Sequence, residues 1–247
     1  MSQPRNPQVK PPLLQRLWGW LLDYCYLVYW MVRGLLSRSS PDQFLRPAEP
    51  SQTPILLIPG VYENWRFMQP IAAHLYRAGH PVHVVERLGY NSGAIPAMAV
   101  IVSEYLKSLD VRDVVLIAHS KGGLICKHAL GDPDTFPRVK HVIAINTPFS
   151  GSRYANLFLL PSVRMFMPKG AVIRQLALNL AINRQISSLY SVFDPHIPET
   201  SHLEGAENIV LPTIGHFRPV GDALTLEAID RIVARVAEGQ PADPSGL

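Results

Sequence analysis

"LIAHSKGG", residues 116–123, sets a serine between an apolar run and two glycines. The residues before it, "DVVLIAH", read as a buried strand, and those after it, "KGGLICKHAL", as a helix, so Ser120 stands where one hands over to the other. Ala118 and Gly122 are small enough to let strand and helix approach around a sharp turn, and Gly123 adds relief. Such a turn also points the backbone N–H of Lys121 at the helix start, where an anion can be held. The string alone arises often by chance, so its meaning depends on partners elsewhere in the chain.

Working outward, the chain from Pro54 alternates short apolar runs with helical patterns, which predicts βαβ units and a parallel sheet. "PILLIPG", "HPVHVVER", "DVVLIAH", "VKHVIAINTP", "ISSLYSVFD" and "ENIVLPTIGH" are the expected strands. "NWRFMQPIAAHLYRAG", "AIPAMAVIVSEYLKSL" and "DALTLEAIDRIVARVAEG" are expected helices, the last burying Leu224, Ile229, Ile232 and Val233. The fold class is therefore α/β, with about six mostly parallel strands flanked by helices. A chain of 247 residues, 47% hydrophobic, suits one such body.

Ahead of that body lies "LLQRLWGWLLDYCYLVYWMVRGLL", residues 13–36, whose centre from Leu17 to Val32 is interrupted only by Gly19 and Asp23. On a helix, Gln15, Arg16, Gly19, Asp23, Tyr26 and Arg33 share one stripe and the remainder is apolar. Trp18, Trp20, Trp30, Tyr24, Tyr26 and Tyr29 are residues that favour a headgroup layer. Membrane association, spanning or interfacial, is one reading; packing on the protein's own body or on a second subunit is the other. A cleaved signal peptide is disfavoured because no small-residue cleavage pattern follows.

The expected organisation is residues 1–37 as a disordered tail plus this helix, 38–53 as linker, 54–240 as body and 241–247 as tail. Within the body, residues 153–185 form a cap-like insertion carrying Leu157, Leu159, Leu160, Met165, Phe166 and Met167, with "VIRQLALNLAINRQ" an amphipathic helix. Net charge is +4, and between Thr135 and Phe193 no acid occurs while Arg138, Lys140, Arg153, Arg164, Lys169, Arg174 and Arg184 do. That block fits either a solvated basic face or a surface for lipid headgroups or another acidic partner. No stretch reads as a nucleic-acid motif. Cys25 and Cys126 lie in unlike contexts and predict neither a disulfide nor a metal site. No metal or organic cofactor is implied, and oligomeric state is not legible.

The "AHSKGG" turn, "LLIPGVYENW" after the first body strand and "INTPFSGS" after the strand following the serine resemble the α/β-hydrolase family, in particular its bacterial lipases and esterases. The resemblance spans most of residues 54–240 and leaves the N-terminal helix unexplained. It implies a compact α/β-hydrolase fold in which the N–H groups of Val61 and Lys121 form an oxyanion hole. Pro59 and Phe149 stand where related lipases often carry histidines.

The family order of nucleophile, acid and base then assigns Asp194, ending "LYSVF", and His216, ending "LPTIGH". Both fall at C-terminal ends of strands, the edge where Ser120 lies, as a carboxylate, imidazole and hydroxyl relay requires. The rivals are His196, His202 and His119 as base, and Glu199 as acid; Asp110 and Asp113 flank the opposite end of the serine's strand. Lys121 is expected to be an exposed bystander, with its ammonium available to anionic substrates as the alternative.

The function this implies is hydrolysis of carboxylic esters, of lipids or other apolar acyl groups, through Ser120, His216 and Asp194. Thioester, amide or acyl-transfer chemistry on the same triad stays open, as does a non-catalytic lipid-binding module. Localisation is expected at a membrane, otherwise in the cytoplasm.

Overall fold

A computed structural model describes residues 11–47, 53–157 and 159–240. Most of the expected N-terminal tail, part of the expected linker and the expected tail 241–247 lie outside the described residues.

Six strands form one sheet: β1 (Ile55–Ile58), β2 (Val82–Val84), β3 (Val114–His119), β4 (Val139–Ile145), β5 (Ile186–Phe193) and β6 (Glu207–Ile214). Their order is β2-β1-β3-β4-β5-β6 and every pairing is parallel. Because side chains alternate along a strand, each strand feeds two cores. Leu56, Ile58, Leu116, Ala118, Val142 and Ala144 pack on one face with residues of α3 (Ile95–Ser108), α4 (Lys121–Ala129) and α6 (Ala171–Leu178). Ile55, Leu57, Val115, Ile117, Ile143 and Ile145 pack on the other with α2 (Gln69–Arg77) and α7 (Ala223–Ala237). Both faces being covered, the strands read as continuous apolar runs.

The chain runs from β1 outward to β2 and returns on the other side as β3, so the winding reverses between β1 and β3. In open sheets that switch point opens a crevice at the C-terminal strand edge. The loop after β1 and Ser120 after β3 both border it, because Ile58 pairs with Ala118.

Some local expectations shift. Leu224 is exposed while Ile229, Ile232 and Val233 are buried, since the helix begins at Ala223 and its first turn overhangs the core. The helix expected over "VIRQLALNLAINRQ" stops at Leu178 and resumes as a 3-10 turn, Ala181–Gln185. With a short α5 (Pro161–Arg164), these pieces make up the insertion between β4 and β5. Residues 38–47, within the expected linker, also pack: Phe44 is buried against Trp65 and Tyr76.

The N-terminal helix α1 (Leu13–Leu36) lies on the α2 and α7 side of the sheet, where Tyr26, Leu27 and Trp30 join the core. Its predicted polar stripe is the side that docks: Gly19 and Asp23 are buried and Arg16 and Tyr26 half-buried, whereas Gln15 and Arg33 stay exposed. Glycine at 19 is required by contact, since a Cβ there would strike Ile214. The outward face carries Leu14, Leu17, Trp18, Trp20, Leu21, Val28, Tyr29, Val32 and Leu35, all exposed. Among the described residues no helix is long and apolar enough to cross a membrane, which corrects the spanning reading of residues 13–36. The stripe that docks α1 is also what dilutes its hydropathy.

Candidate active site

Ser120 sits at φ 50°, ψ −118°, between the last residue of β3 and the first of α4. A non-glycine residue held there stores strain on the order of 1–3 kcal/mol, and persists only where its surroundings enforce it. The enforcement is local. Ser120 donates its N–H to Ile145 O at 2.8 Å, and a Cβ on Gly122 would overlap the carbonyl oxygen of Ile58. The strained turn thus lifts the hydroxyl above the sheet edge.

His216 follows β6 and is buried. Its Nε2 lies 2.9 Å from Ser120 Oγ, and its Nδ1 lies 2.7 Å from Asp194 Oδ2. With Nδ1–H donating to the carboxylate, Nε2 is left as acceptor for the serine hydroxyl. Asp194 Oδ1 accepts the N–H groups of His196, at 2.7 Å, and Ile197, at 3.2 Å, which ties the acid to its own turn. Burial alone would lower the His216 pKa. The neighbouring Asp194 charge and hydrogen bond, helped by Asp23 and Glu63, outweigh it and leave the imidazole more basic than usual.

The structure therefore brings Ser120, His216 and Asp194 into one chain of hydrogen bonds. The rivals stand elsewhere. Glu199 accepts from Arg153 Nε at 2.8 Å, and His202 is exposed in the loop before β6. His196 lies beside His216, ring centroids 5.0 Å apart and planes tilted by 41°, with its Nε2 3.1 Å from Tyr24 Oη. Burial and the nearby imidazoles drop its pKa to about 4. His119 is buried under the site, its Nδ1 2.8 Å from Glu63 Oε2 and its Nε2 donating to His216 O at 2.9 Å.

Val61 and Lys121 begin the two segments that flank the crevice, Val61 after β1 and Lys121 at the start of α4. The preceding N–H, of Gly60, is taken by Glu63 Oε2 at 2.7 Å, which holds the loop after β1. The Tyr62 hydroxyl is bonded to Ser162 in the insertion. Lys121 corrects the expectation of an exposed bystander. Its side chain is fully buried, and Nζ donates to the carbonyls of Asn91, at 2.6 Å, and Gly93, at 2.5 Å. Burial lowers its pKa to about 8. A lysine spent on two carbonyls ties the loop before α3 to the elbow and is not available to a substrate.

Sequence reasoning assigned no role to several supports of His216. Asn146, at φ 46°, donates Nδ2 to the carbonyls of Gly215, at 3.1 Å, and His216, at 3.0 Å. Asp23 of α1 accepts the N–H of His216. The available signal for Asp23 was its own oddity, a lone acid in an apolar helix, which demands a partner. Among the described residues no group of His, Cys, Asp and Glu is arranged to hold a metal ion.

A family model described as the alpha/beta hydrolase fold matches residues 53–171. The protein has the α/β-hydrolase fold. No curated protein matches the sequence. Among solved structures, the mature lipase of Bacillus licheniformis superposes with a TM-score of 0.62 at 15% identity, over 76% of this chain and 94% of that one. Lipase B of Aspergillus fumigatus gives 0.62 at 18%, over 79% of this chain and 55% of the other. A carboxylesterase of the thaumarchaeon Nitrososphaera gargenis gives 0.59 at 14%, over 77% and 93%. These likenesses are to lipases and esterases, and at such identities they speak to the fold.

Proposed function

We propose that this α/β-hydrolase-fold protein is a serine hydrolase of carboxylic esters, acting on apolar acyl esters at a membrane surface. The observation that carries the reading is the strained Ser120 with Oγ 2.9 Å from an imidazole whose other nitrogen meets a buried carboxylate. Ser120 Oγ attacks the ester carbonyl carbon while its proton passes to His216 Nε2. The carbonyl oxygen takes up the electron pair as an oxyanion, held by the N–H groups of Val61 and Lys121. Collapse breaks the bond to the alcohol, which leaves with the proton from His216. Water then loses a proton to His216 as it attacks the acyl-serine, and the acid departs as Ser120 Oγ regains that proton.

The apolar preference rests on the insertion, where Leu157, Leu159, Leu160, Leu178 and Leu180 are exposed beside Arg164, Lys169 and Arg174. Exposed leucines in number, set among cations without an acid, suit an acyl chain drawn from an anionic bilayer. The outward face of α1 supports the same surface.

Ser120→Ala tests the reading. It should lower p-nitrophenyl ester turnover by on the order of 10⁵-fold and abolish fluorophosphonate labelling while circular dichroism is unchanged. Full activity in that variant would refute the assignment.

A further inference from the structure

The α1 helix, outside the matched residues 53–171, enters the proposed site through a carboxylate. Asp23 is fully buried. Its Oδ2 accepts the N–H of His216 at 2.9 Å, and its Oδ1 accepts those of Phe217, at 2.8 Å, and Arg218, at 2.7 Å. Three successive N–H groups point at one carboxylate, which caps the turn that follows the imidazole, Arg218–Gly221. The carbonyl of His216 is fixed from the opposite side by His119 Nε2 and Asn146 Nδ2. Both backbone groups of His216 are thereby held by side chains from outside the turn.

The approach is built in on both partners. Gly215 adopts φ 127°, and a Cβ there would overlap the Asp23 carboxylate. At Gly221 a Cβ would crowd the Tyr26 hydroxyl, and at Gly19 it would crowd Ile214. The next residue of α1, Tyr24, reaches His196 in the acid's turn. Adjacent helix positions therefore touch the turns of both the acid and the base.

We propose that Asp23 is a positioning residue for His216: α1 clamps the turn that aims the imidazole at Ser120, and contributes a second carboxylate behind it. The proposal rests on the serine-hydrolase reading for its effect on turnover. The charged and titratable groups facing His216 are Asp194, Asp23, Glu63, His119 and His196. Of these carboxylates only Asp23 comes from α1. Burial pushes the Asp23 pKa up against its three N–H bonds.

The test is Asp23→Asn in the full chain, which keeps the shape, removes the charge and leaves an amide NH2 facing one side of the three N–H groups. On p-nitrophenyl butyrate, kcat should fall about tenfold with KM little changed, and about a hundredfold for Asp23→Ala, because a misaimed base loses reactive geometry rather than binding. The acid limb of kcat/KM should move to lower pH in Asp23→Asn, as should the midpoint of the His216 imidazole followed by NMR. A helix that merely stabilised the fold would lower Tm and leave that midpoint in place. Wild-type kcat and an unmoved midpoint in folded Asp23→Asn would overturn the proposal. If that variant does not fold, hydrogen exchange in the wild type decides: slow amides at 217 and 218 support the clamp, and exchange at free-peptide rates overturns it. Should the wild type neither hydrolyse esters nor take up a fluorophosphonate, the proposed reaction fails, while the NMR midpoint still reports on the clamp.

Discussion

The serine's turn and the histidine's turn face each other across 2.9 Å, yet they are held in opposite ways. The elbow is secured by its own neighbours: a strand and a helix adjacent in sequence, a glycine two residues on and the carbonyl of the next strand. The turn after β6 has a matching strand bond, Gly215 N–H to Phe193 O at 2.9 Å, but from His216 on it rests on distant groups. Its N–H groups are satisfied by Asp23, 193 to 195 residues earlier, and its carbonyl by His119 and Asn146. A nucleophile can be strained into place by local backbone, whereas an imidazole on a loop is only as well aimed as the remote groups that pin it.

The sharpest way to break the comparison is to remove the carboxylate that meets the imidazole on the side away from the serine. Asp194→Asn retains an oxygen for the N–H groups of His196 and Ile197 but favours the wrong tautomer of His216. On the triad reading kcat should drop about 10⁴-fold, with Tm moving by only a few degrees. A loss under tenfold would mean that Asp194 caps its turn and does nothing for the base.

Deletion of residues 1–45 comes next in size. A helix that only delivered the protein to an interface would be dispensable for soluble esters. The Asp23 contacts predict the reverse: kcat on p-nitrophenyl acetate should fall by about a hundredfold or more, as for Asp23→Ala, and activity on emulsions at least as far. Stopped-rate assays on both substrates decide it, and a truncated protein with full short-ester activity would show the histidine turn to be self-supporting.

This difference also explains what the sequence made legible. The six parallel strands, the elbow after β3 and the positions of Asp194 and His216 at strand ends were legible from short apolar runs read with the family's order of nucleophile, acid and base, because each of those signals is local to its own strand. The proposed oxyanion donors were read from the family resemblance for Val61 and from the elbow's turn for Lys121. Asp23 could be seen as anomalous in an apolar helix, but nothing in the spacing said that its partners were three amides near position 217. Lys121 misled for a related reason. A lysine beside a nucleophile looks exposed until Asn91, at φ 49°, and Gly93 turn their carbonyls toward it. Long-range polar pairing leaves no periodic trace, so the scaffold is readable and its fastenings are not.

A smaller effect separates the two turns by pH. His216 titrates above its ordinary 6.5, chiefly because Asp194 outweighs burial, and on the proposed reading it acts as base only when neutral. The acid limb of kcat/KM should therefore lie above pH 6.5. His141 and His196, with pKa values lowered to about 4, work the other way on stability. Each takes up a proton more readily unfolded than folded, so the stability they contribute is present above pH 6.5 and is lost as pH falls toward 4. Activity and Tm measured across pH 4–9 should then fall together on the acid side, activity first. An acid limb below 6.5 would contradict the charge arrangement around His216.

The smallest effect on chemistry is expected from the face of α1 that the body does not use. Trp18 and Leu17 are 62% and 50% exposed, on the side of α1 turned away from Asp23, which is buried. If the inner face aims the histidine and the outer face meets lipid, Leu17→Ser with Trp18→Ser should leave p-nitrophenyl butyrate kinetics and Tm within experimental scatter. Flotation with phosphatidylglycerol vesicles should weaken by about tenfold or more, since each apolar side chain buried in the interface is worth about 1.5–3 kcal/mol. Unchanged flotation would assign membrane contact, if any, to the leucines and cations of the insertion. A large loss of soluble-ester activity would show that the two faces of this helix do not act independently, and that the division between anchor and clamp is wrong.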